Sequence, residues 1–550
     1  QIVAPMFSRR TYDPTTTEAG WAMPGGSRFD DFVYRVQDKN IDLKRAIAAI
    51  KADGKAMEDR LDAYLQEELF HGRAAKRTQD FVSRELEPLL KDMAARQVSV
   101  DELELYLHAR HAEEANKVIA QRNKREDDGQ TGIDGKVITS PLQDGGSGML
   151  TSDARAHLAG LDPAKRSRLE ALAARVDAMI EKTRQAYIGY GLESKATVDG
   201  WTSMFEHYIP LMREDKEGGM GIGQGFSIKG PESKHRTGST ARVVDILSNI
   251  ALQRERAIVR GEKNRVAVAL AGLVKLNPNP DIWSFGPITE RRYNKDKDTV
   301  ETFINGNWKN AANVMVAKIP GKDGQIHEVG IVFNEDNDRA QRMAMALKNL
   351  DAAQLEGVLG LAAKVTRYFA AVNTQYNPVF GAVNLVRDVQ GAAINLGSTA
   401  LNGHKAAVVA NIPAALRAVY RIERGKSVKN QAMSDLWYSL QNEGGMTGFR
   451  DQFRTSQERA EAIRYAMDPT NWTESKMGRF FTAGGVLKVP MVLAQKALTP
   501  VFAWLTDYNQ AMEGATRLAA YKVALDQGLS KQQAASIAKN LTVNFNRKGQ

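Results

Sequence analysis

Apolar residues recur at intervals of three and four along most of the chain, which is the spacing of one face of an α-helix. Residues 28–127 show this pattern as a succession of amphipathic helices. One apolar stripe there consists of Met57, Leu61, Tyr64, Leu65 and Leu69. A longer stripe is typical of coiled-coil-like packing; it consists of Leu169, Leu172, Val176, Ile180, Thr183 and Tyr187.

Helix starts are marked by residues that can satisfy the free amides of a first turn. Ser99 followed by Glu102 predicts a capping box, in which each side chain bonds the backbone N–H of the other residue. Asp162 before Pro163 predicts an N-cap followed by proline at the first helical position. Ser530 and Gln533 predict a second capping box before the last helix.

The pattern changes between residues 281 and 335, where short β-rich runs alternate with turn residues. The run that ends at 304 meets Asn305-Gly306, and the run 314–319 meets Asp323-Gly324 before a third run at 329–333. Such Gly-containing dipeptides between apolar runs are typical of hairpins. We therefore expect a small antiparallel β-meander inserted in a helical body.

These patterns predict a mainly α fold of multi-domain helical bundles, and a length of 550 residues favours three or four domains. We expect the chain to divide into five parts. They are an N-terminal helical region 1–127, a linker 128–150, a helical domain 151–280 with a glycine-rich loop 215–240, the β insert 281–335, and a C-terminal helical domain 336–550. The first residue is Gln1 and the last helix runs into NFNRKGQ, so both ends are interpreted as cut points, and the C-terminal domain is expected to be truncated.

Composition narrows the classes of function. The hydrophobic content of 43% and charged content of 25% are those of a folded globular protein. The chain has no cysteine, which excludes disulfides, thiolate chemistry and cysteine-ligated zinc. A net charge of +10 is compatible with nucleic acid or anionic lipid as a partner and requires neither.

Candidate catalytic and metal residues are sparse. His108 and His111 lie three apart on a predicted helix, but no third ligand is evident, so helix packing is favoured over a metal site. The glycine-rich run from Gly219 to Phe226 lacks the preceding strand and the lysine of a phosphate-binding loop. It faintly resembles a stretch of lytic transglycosylases, without a marked catalytic glutamate. We expect no catalytic, cofactor-binding or metal-binding residue, and no cofactor.

Two basic clusters are candidates for contact with DNA or phosphate. They consist of Arg254, Arg256, Arg260, Lys263 and Arg265 in one predicted helix, and of Arg417, Arg421, Arg424, Lys426 and Lys429 in another. In the second cluster the candidates for contact are Arg417, Arg421 and Arg424. Glu255, Glu262 and Glu423 are interleaved with them, so a solvated, salt-bridged face is the simpler interpretation of both.

The stretch 480–505 is strongly apolar and long enough to span a bilayer. Two lysines and two prolines within it argue against a simple transmembrane helix, and a buried helical hairpin or an interfacial segment fits better. The membrane-proximal candidates are Phe480, Phe481, Lys488, Lys496, Phe502 and Trp504.

A second unusual stretch follows Tyr376. Arg387 and Asp388 are two charges in an otherwise apolar segment, and buried charges need bonding partners. Asn377 and Asn384 can supply such partners, while Pro378 interrupts the helix. We interpret these residues as a polar network that could form an assembly interface.

Five stretches together resemble the large polyvalent virion proteins of tailed bacteriophages, which include the internal or ejection proteins of short-tailed phages. They are LHARHAEEAN at 107–116, HYIPL at 207–211, EKNRV at 262–266, YNPVF with NLVRD at 376–388, and NFNRKG at 544–549. Their order along the chain carries the resemblance, and residues 1–98 take no part in it.

The resemblance implies a structural, non-enzymatic segment that assembles into a conduit for genome delivery across the host envelope. Its implied partners are further copies of itself in a ring or tube, other phage ejection proteins, double-stranded DNA in passage and the host inner membrane. The implied location is the capsid interior, then the periplasm and the inner-membrane surface. The alternatives are a lytic transglycosylase-like enzyme, with Glu206 as first candidate, and a DNA-binding internal capsid protein.

Overall fold

The computed structural model confirms the expected mainly α fold with a small antiparallel β insert. It describes residues 21–23, 38–53, 57–124, 142–211, 246–287, 289–294, 299–304, 308–348, 395–428, 430–446 and 514–541, with isolated positions between these ranges. The glycine-rich loop 215–240, the expected network at 377–388 and the apolar stretch 480–505 lie outside the described residues, apart from the single position 239.

Eight helices precede the β strands in the described chain: α1 (Ile41–Ala52), α2 (Ala63–Phe81), α3 (Glu87–Ala95), α4 (Val100–Asn123), α5 (Thr151–Ala159), α6 (Pro163–Gly189), α7 (Lys195–Met204) and α8 (Ile246–Leu276). Four follow them: α9 (Asp338–Lys348), α10 (Lys405–Glu423), α11 (Gln431–Asn442) and α12 (Lys531–Leu541). Residues 514–526 are also helical. Among the described helices, none combines the length and apolarity needed to cross a lipid bilayer.

The predicted caps of α4 and α6 are confirmed. Ser99 Oγ accepts a hydrogen bond from the Glu102 amide, and Glu102 Oε2 accepts one from the Ser99 amide. Asp162 caps α6, with proline at its first position. At α12 only the serine half of the expected box forms, because the Gln533 side chain donates to Asp59 Oδ1 at 2.7 Å instead of returning to Ser530.

The β insert differs from a simple meander. The strands are β1 (Trp283–Phe285), β2 (Thr289–Asn294), β3 (Thr299–Ile304), β4 (Val314–Pro320) and β5 (Ile326–Phe333). The sheet order is β1-β5-β4, and among the described residues β2 pairs with β3 in a separate two-stranded sheet. The turn at Asp323-Gly324 joins β4 to β5 as expected. The sequence pattern of apolar runs and turn residues predicts where the chain reverses direction. It does not predict which strands pair with each other.

The described residues form three main hydrophobic cores. The first joins α1, the C-terminal half of α8, the three-stranded sheet and α9. The second joins α10, α11, residues 511–524 and α12. The third joins α3, the start of α4, α6 and the start of α8.

Helix α2 contributes to all three cores. Phe70 packs in the first, Leu69 in the second and Phe81 in the third. A helix that is covered on several sides needs buried residues around much of its circumference. Gly72 of α2 allows the turn after α11 to approach, since a Cβ there would lie 2.2 Å from the Gly444 carbonyl oxygen. The segments divided at residues 127, 280 and 335 therefore share cores through this helix.

The second half of the expected linker 128–150 packs against α4. The Asn116 side chain accepts a hydrogen bond from the Ser147 amide at 2.7 Å and donates to the Met149 carbonyl at 2.9 Å. His108 Nε2 lies 3.1 Å from the Ser147 carbonyl oxygen, and Ser147 is fully buried. The residues 142–150 are thus a docked loop, because polar groups of α4 satisfy their backbone.

Charged side chains join α2 to α12 inside the protein. Lys539 is fully buried and donates to the Glu68 carbonyl oxygen at 2.6 Å. Burial lowers the pKa of the Lys539 ammonium to about 8, while Glu68 acts in the opposite direction. Burial also raises the pKa of the neighbouring Glu67 carboxyl from 4.5 to about 7.

Glu67→Gln should change how stability depends on pH. Between about pH 4.5 and 7, the folded state of the native chain holds a proton on Glu67 that the unfolded chain has released. The free energy of unfolding therefore falls as pH rises through this window, and glutamine removes that contribution. Urea unfolding at several pH values should show the native chain losing stability relative to the variant up to about pH 7. Parallel profiles would contradict this expectation.

Candidate functional site

Helix α8 carries the first predicted basic cluster, and the structure divides that cluster between buried and partly exposed positions. Arg260 and Lys263 are buried, at 8% and 1% exposure. The Arg260 guanidinium lies over the Tyr187 ring, 5.9 Å from its centroid. Arg254, Arg256 and Arg265 keep partial exposure. Arg260 and Lys263 therefore belong to helix packing rather than to an open surface.

Glu262 is the centre of a buried group of charges. Its carboxylate is fully buried and lies 3.1 Å from Arg73 Nε and 2.7 Å from Arg77 Nε, both of α2. Arg265 of the same helix lies 3.6 Å away. Burial lowers the pKa of the Arg73 guanidinium to about 10, and Glu262 is the largest opposing influence. One carboxylate thus pairs with guanidinium groups from two helices.

Arg73 is held on its other side by Gln66 of α2. Its Nη2 atom donates at 3.0 Å both to the Gln66 carbonyl oxygen and to the Gln66 side-chain oxygen. A buried ion pair contributes stability only when further hydrogen bonds satisfy its remaining donors, and the buried Nη1 atom of Arg73 has no hydrogen-bond partner among the described residues. The pair with Glu262 therefore fixes the position of α2 against α8 more than it stabilises the fold.

A cleft of about 610 Å³ opens beside this group of charges. Its walls come from the end of α2, the following turn, the end of α6 and the middle of α8. The lining residues are Arg77, Asp80, Phe81, Arg84, Glu85, Ala186, Gly189, Tyr190, Arg254, Ile258 and Arg265. This volume is within the usual range of ligand pockets.

The cleft wall includes an irregular helical turn. A π turn, Val82–Leu86, connects α2 to α3 and carries Arg84 and Glu85 into the cleft. Pro88 in the first turn of α3 has no N–H to bond the Arg84 carbonyl, which favours a locally widened helix here. Such π turns occur frequently at functional sites.

Tyr190 forms the floor between α6 and α8. Its ring lies where a Cβ on Gly261 would come within 2.1 Å, so glycine is required for this close approach. The Arg77 guanidinium lies over the ring, 5.6 Å from the centroid. Burial, followed by the charge of Glu262, raises the pKa of the Tyr190 hydroxyl, so the hydroxyl remains protonated and can donate a hydrogen bond.

The cleft is positively charged, with four arginines against two carboxylates in its lining. Both carboxylates have cationic partners: Asp80 lies 2.5 Å from Lys76 and 3.7 Å from Arg84, and Glu85 lies 3.6 Å from Arg254. The Arg84 side chain is 73% exposed and Arg265 is 37% exposed. This arrangement suits binding of an anion such as a phosphate, because guanidinium groups donate pairs of hydrogen bonds to oxyanions.

The second predicted basic cluster lies on α10 and does not line this cleft. Arg417 is exposed. Arg421 Nε donates to the Ser427 carbonyl at 2.6 Å, near the helix end. Arg424 donates to the Tyr420 hydroxyl at 3.0 Å. Arg421 and Arg424 therefore have local structural contacts, while Arg417 faces solvent.

Two other predicted sets lie outside the described residues. They are the expected assembly residues Asn377, Pro378, Asn384, Arg387 and Asp388, and the expected membrane-proximal residues Phe480, Phe481, Lys488, Lys496, Phe502 and Trp504.

The histidines of α4 are placed in packing roles. His111 is fully buried, with its ring 5.2 Å from Phe205 and 6.2 Å from Tyr208. His108 contacts the docked loop 142–150. Glu206, the candidate acid of the transglycosylase alternative, is exposed beside α4.

Sequence reasoning missed Arg77, Arg84 and Tyr190 as residues of the cleft. The sequence signal was weak, since Arg77, Asp80, Arg84 and Glu85 form an ordinary charged pattern on a helix. The register change at the π turn and the approach of Tyr190 depend on tertiary packing.

Glu262→Gln should destabilise the protein by about 3–5 kcal/mol, because it leaves the buried guanidinium group of Arg73 without its counter-charge. Urea unfolding monitored by circular dichroism measures this change. Glu181→Gln is a matched control, since Glu181 is a half-exposed carboxylate paired with Arg184 at 3.6 Å on α6. It should cost about 1 kcal/mol or less. Equal losses in both variants would show that Glu262 is not the buried electrostatic centre.

The chain matches no protein-family model, no curated protein and no solved structure. Sequence similarity therefore assigns neither a family nor an activity. The resemblance to phage virion proteins stays a prediction, and function has to be inferred from the side chains and contacts described above.

Proposed function

We propose that this chain is a structural, non-enzymatic segment of a phage ejection protein, which assembles into a conduit for genome delivery across the host envelope. The observation that carries the proposal is the position of three of the stretches on which the resemblance to phage virion proteins rests. Residues 107–116, 207–211 and 262–266 all lie at contacts between elements that are distant in sequence. Such positions suit a protein whose task is to hold a shape.

The stretches 107–116 and 207–211 meet each other. Tyr208 packs edge-on against His111, and the His207 amide donates to Glu114 Oε2 at 3.2 Å. At the other end of the first stretch, Asn116 holds the loop 142–150. The side chains in these stretches are thus engaged in joining helices and loops.

The stretch 262–266 joins three elements. Asn264 Nδ2 donates to the Lys318 carbonyl of β4 at 2.8 Å and to the Tyr190 carbonyl after α6 at 3.1 Å. The Lys318 amide returns a bond to Asn264 Oδ1 at 2.9 Å. Together with the Glu262 contacts, these bonds fix helix α8 to the sheet, α6 and α2.

The interior is also suited to a chain that must unfold and refold during ejection. The chain has no cysteine, so no disulfide opposes threading through a tail. Arg73, Arg517 and Lys539 are fully buried. Replacing buried charges with apolar residues often increases stability, so an interior that retains them is held less tightly than a wholly apolar one.

The proposal places the protein in the capsid, then in the periplasm and at the host inner membrane. Its partners are further copies of the same chain, other ejection proteins and DNA in passage.

Assembly of the full chain tests the proposal. Mass photometry and electron microscopy, with and without liposomes and partner ejection proteins, should show uniform rings or tubes. Asp388→Asn and Arg387→Ala should weaken assembly if the network expected at 377–388 is an interface, whereas Arg155→Ala, which alters an exposed pair with Glu113, should not. A chain that stays monomeric under all these conditions would overturn the proposal.

The arginine-lined cleft favours a second candidate function, contact with DNA through its phosphates. Arg84 and Arg265 retain exposed guanidinium groups at the cleft. Neutralising phosphates releases counterions, so this binding should weaken steeply as salt increases.

A double variant, Arg84→Ala with Arg265→Ala, should bind double-stranded DNA more weakly. The slope of log affinity against log salt should fall by about one for each phosphate contact removed. Fluorescence anisotropy over a salt series measures both quantities. Arg417→Ala, which alters an exposed arginine outside the cleft, is the control; an equal effect there, or an unchanged double variant, would exclude the cleft as the contact site.

A further inference from the structure

Three metal-ligating side chains meet where α4 passes the segment 205–211. Glu114 lies on α4, and Glu206 and His207 follow the end of α7. One ligand atom from each lies within 4.8 Å of the other two. We propose that Glu114, Glu206 and His207 bind a divalent transition-metal ion of the Zn²⁺ or Mn²⁺ class. Glu206 is exposed and the other two are half-buried, so an ion can reach the site from solvent.

The electrostatics of the site favour a cation. Two carboxylates at this separation repel each other when both are ionised. Among the described residues, no lysine or arginine forms a salt bridge with Glu114 or Glu206. The nearest carboxylate on α4, Glu113, is engaged differently, since it bonds Arg155 at 2.5 Å. A dication between Glu114 and Glu206 would remove their repulsion.

The segment that carries two of the ligands is fixed on α4. Phe205 and Ile209 are buried on either side of the ligands, at 7% and 0% exposure. The His111 ring packs against Phe205, and the His207 amide bonds Glu114 Oε2. A site held by packing and hydrogen bonds loses little conformational entropy when it binds an ion.

The ligand types indicate the class of metal. Imidazole nitrogen suits zinc and neighbouring transition metals, and carboxylate oxygen suits manganese, whereas calcium and magnesium prefer oxygen ligands alone. Metal–ligand bonds of about 2.0–2.2 Å place tetrahedral ligands roughly 3.3–3.6 Å apart, so ligand atoms that lie within 4.8 Å of one another have to move closer when an ion binds. The exposed Glu206 side chain has room to make such a movement. A fourth position remains for water.

The bound ion would link α4 to the segment 205–211 and so join residues about 90 apart in sequence.

The proposed metal site does not depend on the proposed phage function, because it uses only the three side chains and their surroundings. It also differs from a site built on His108 and His111, whose rings are occupied in packing.

Calorimetric titration of the tag-free, chelator-treated full chain with ZnCl₂ and MnCl₂ tests the site. We expect one ion per chain, weaker binding of CaCl₂, and an affinity at least tenfold lower in Glu206→Gln and His207→Ala. Glu113→Gln is the matched control, since it alters the adjacent carboxylate that bonds Arg155, and it should bind like the native chain.

Thermal unfolding provides a second readout. An ion that binds only the folded state raises the melting temperature, so ZnCl₂ should raise it in the native chain and in Glu113→Gln, but not in Glu206→Gln. Failure of the native chain to bind either ion would overturn the proposal. Equal affinity and equal thermal shift in His207→Ala and the native chain would do so as well.

Discussion

Helix α8 lies in the middle of this fold and carries the buried carboxylate of Glu262 near its midpoint. The packing of the neighbouring elements depends on supplying positive charge to this carboxylate. Glu262 is fully buried, and an isolated buried charge is strongly unfavourable. Arg73 and Arg77 of α2 supply the counter-charge, so α2 must lie against α8 in one register. Because α2 also contributes to all three hydrophobic cores, this register positions the sheet, the helices α3 to α6 and the C-terminal helices relative to one another.

The same arrangement produces the cleft. Once α2 is fixed on α8, the π turn that follows carries Arg84 and Glu85 beside Arg254 and Arg265. Tyr190 closes the floor because Gly261 leaves room for its ring. The cleft therefore collects basic residues from two helices and a turn. Its acids are paired with cations that include Arg84 and Arg254, while the side chains of Arg84 and Arg265 keep part of their surface exposed. This exposed positive charge suits an oxyanion as ligand.

Polar side chains join helices throughout the described chain. Asn116, Asn264 and Lys539 each bond backbone groups of an element far away in sequence. These contacts fix orientation more than they add stability, since a hydrogen bond contributes only about 1 kcal/mol net. A chain built in this way, without disulfides, can be well ordered and still unfold under load. That combination fits the proposed role in an ejection apparatus, where a specific assembly has to follow passage through a narrow channel.

The sequence by itself determined the local features: the helical pattern, the caps at Ser99 and Asp162, and the β insert with its turn at Asp323-Gly324. These depend on residues within about one turn or one hairpin, so spacing alone reveals them. It also singled out Arg254 and Arg265, but not their separation from the buried Arg260 and Lys263. The tertiary structure alone decided the strand order β1-β5-β4, the sharing of α2 among three cores, and the meeting of Glu114 with Glu206 and His207. Each of these features depends on which surfaces pack together across long stretches of chain. The pattern of apolar residues in a sequence shows which face of a helix or strand is buried, but it does not show which other element packs on that face.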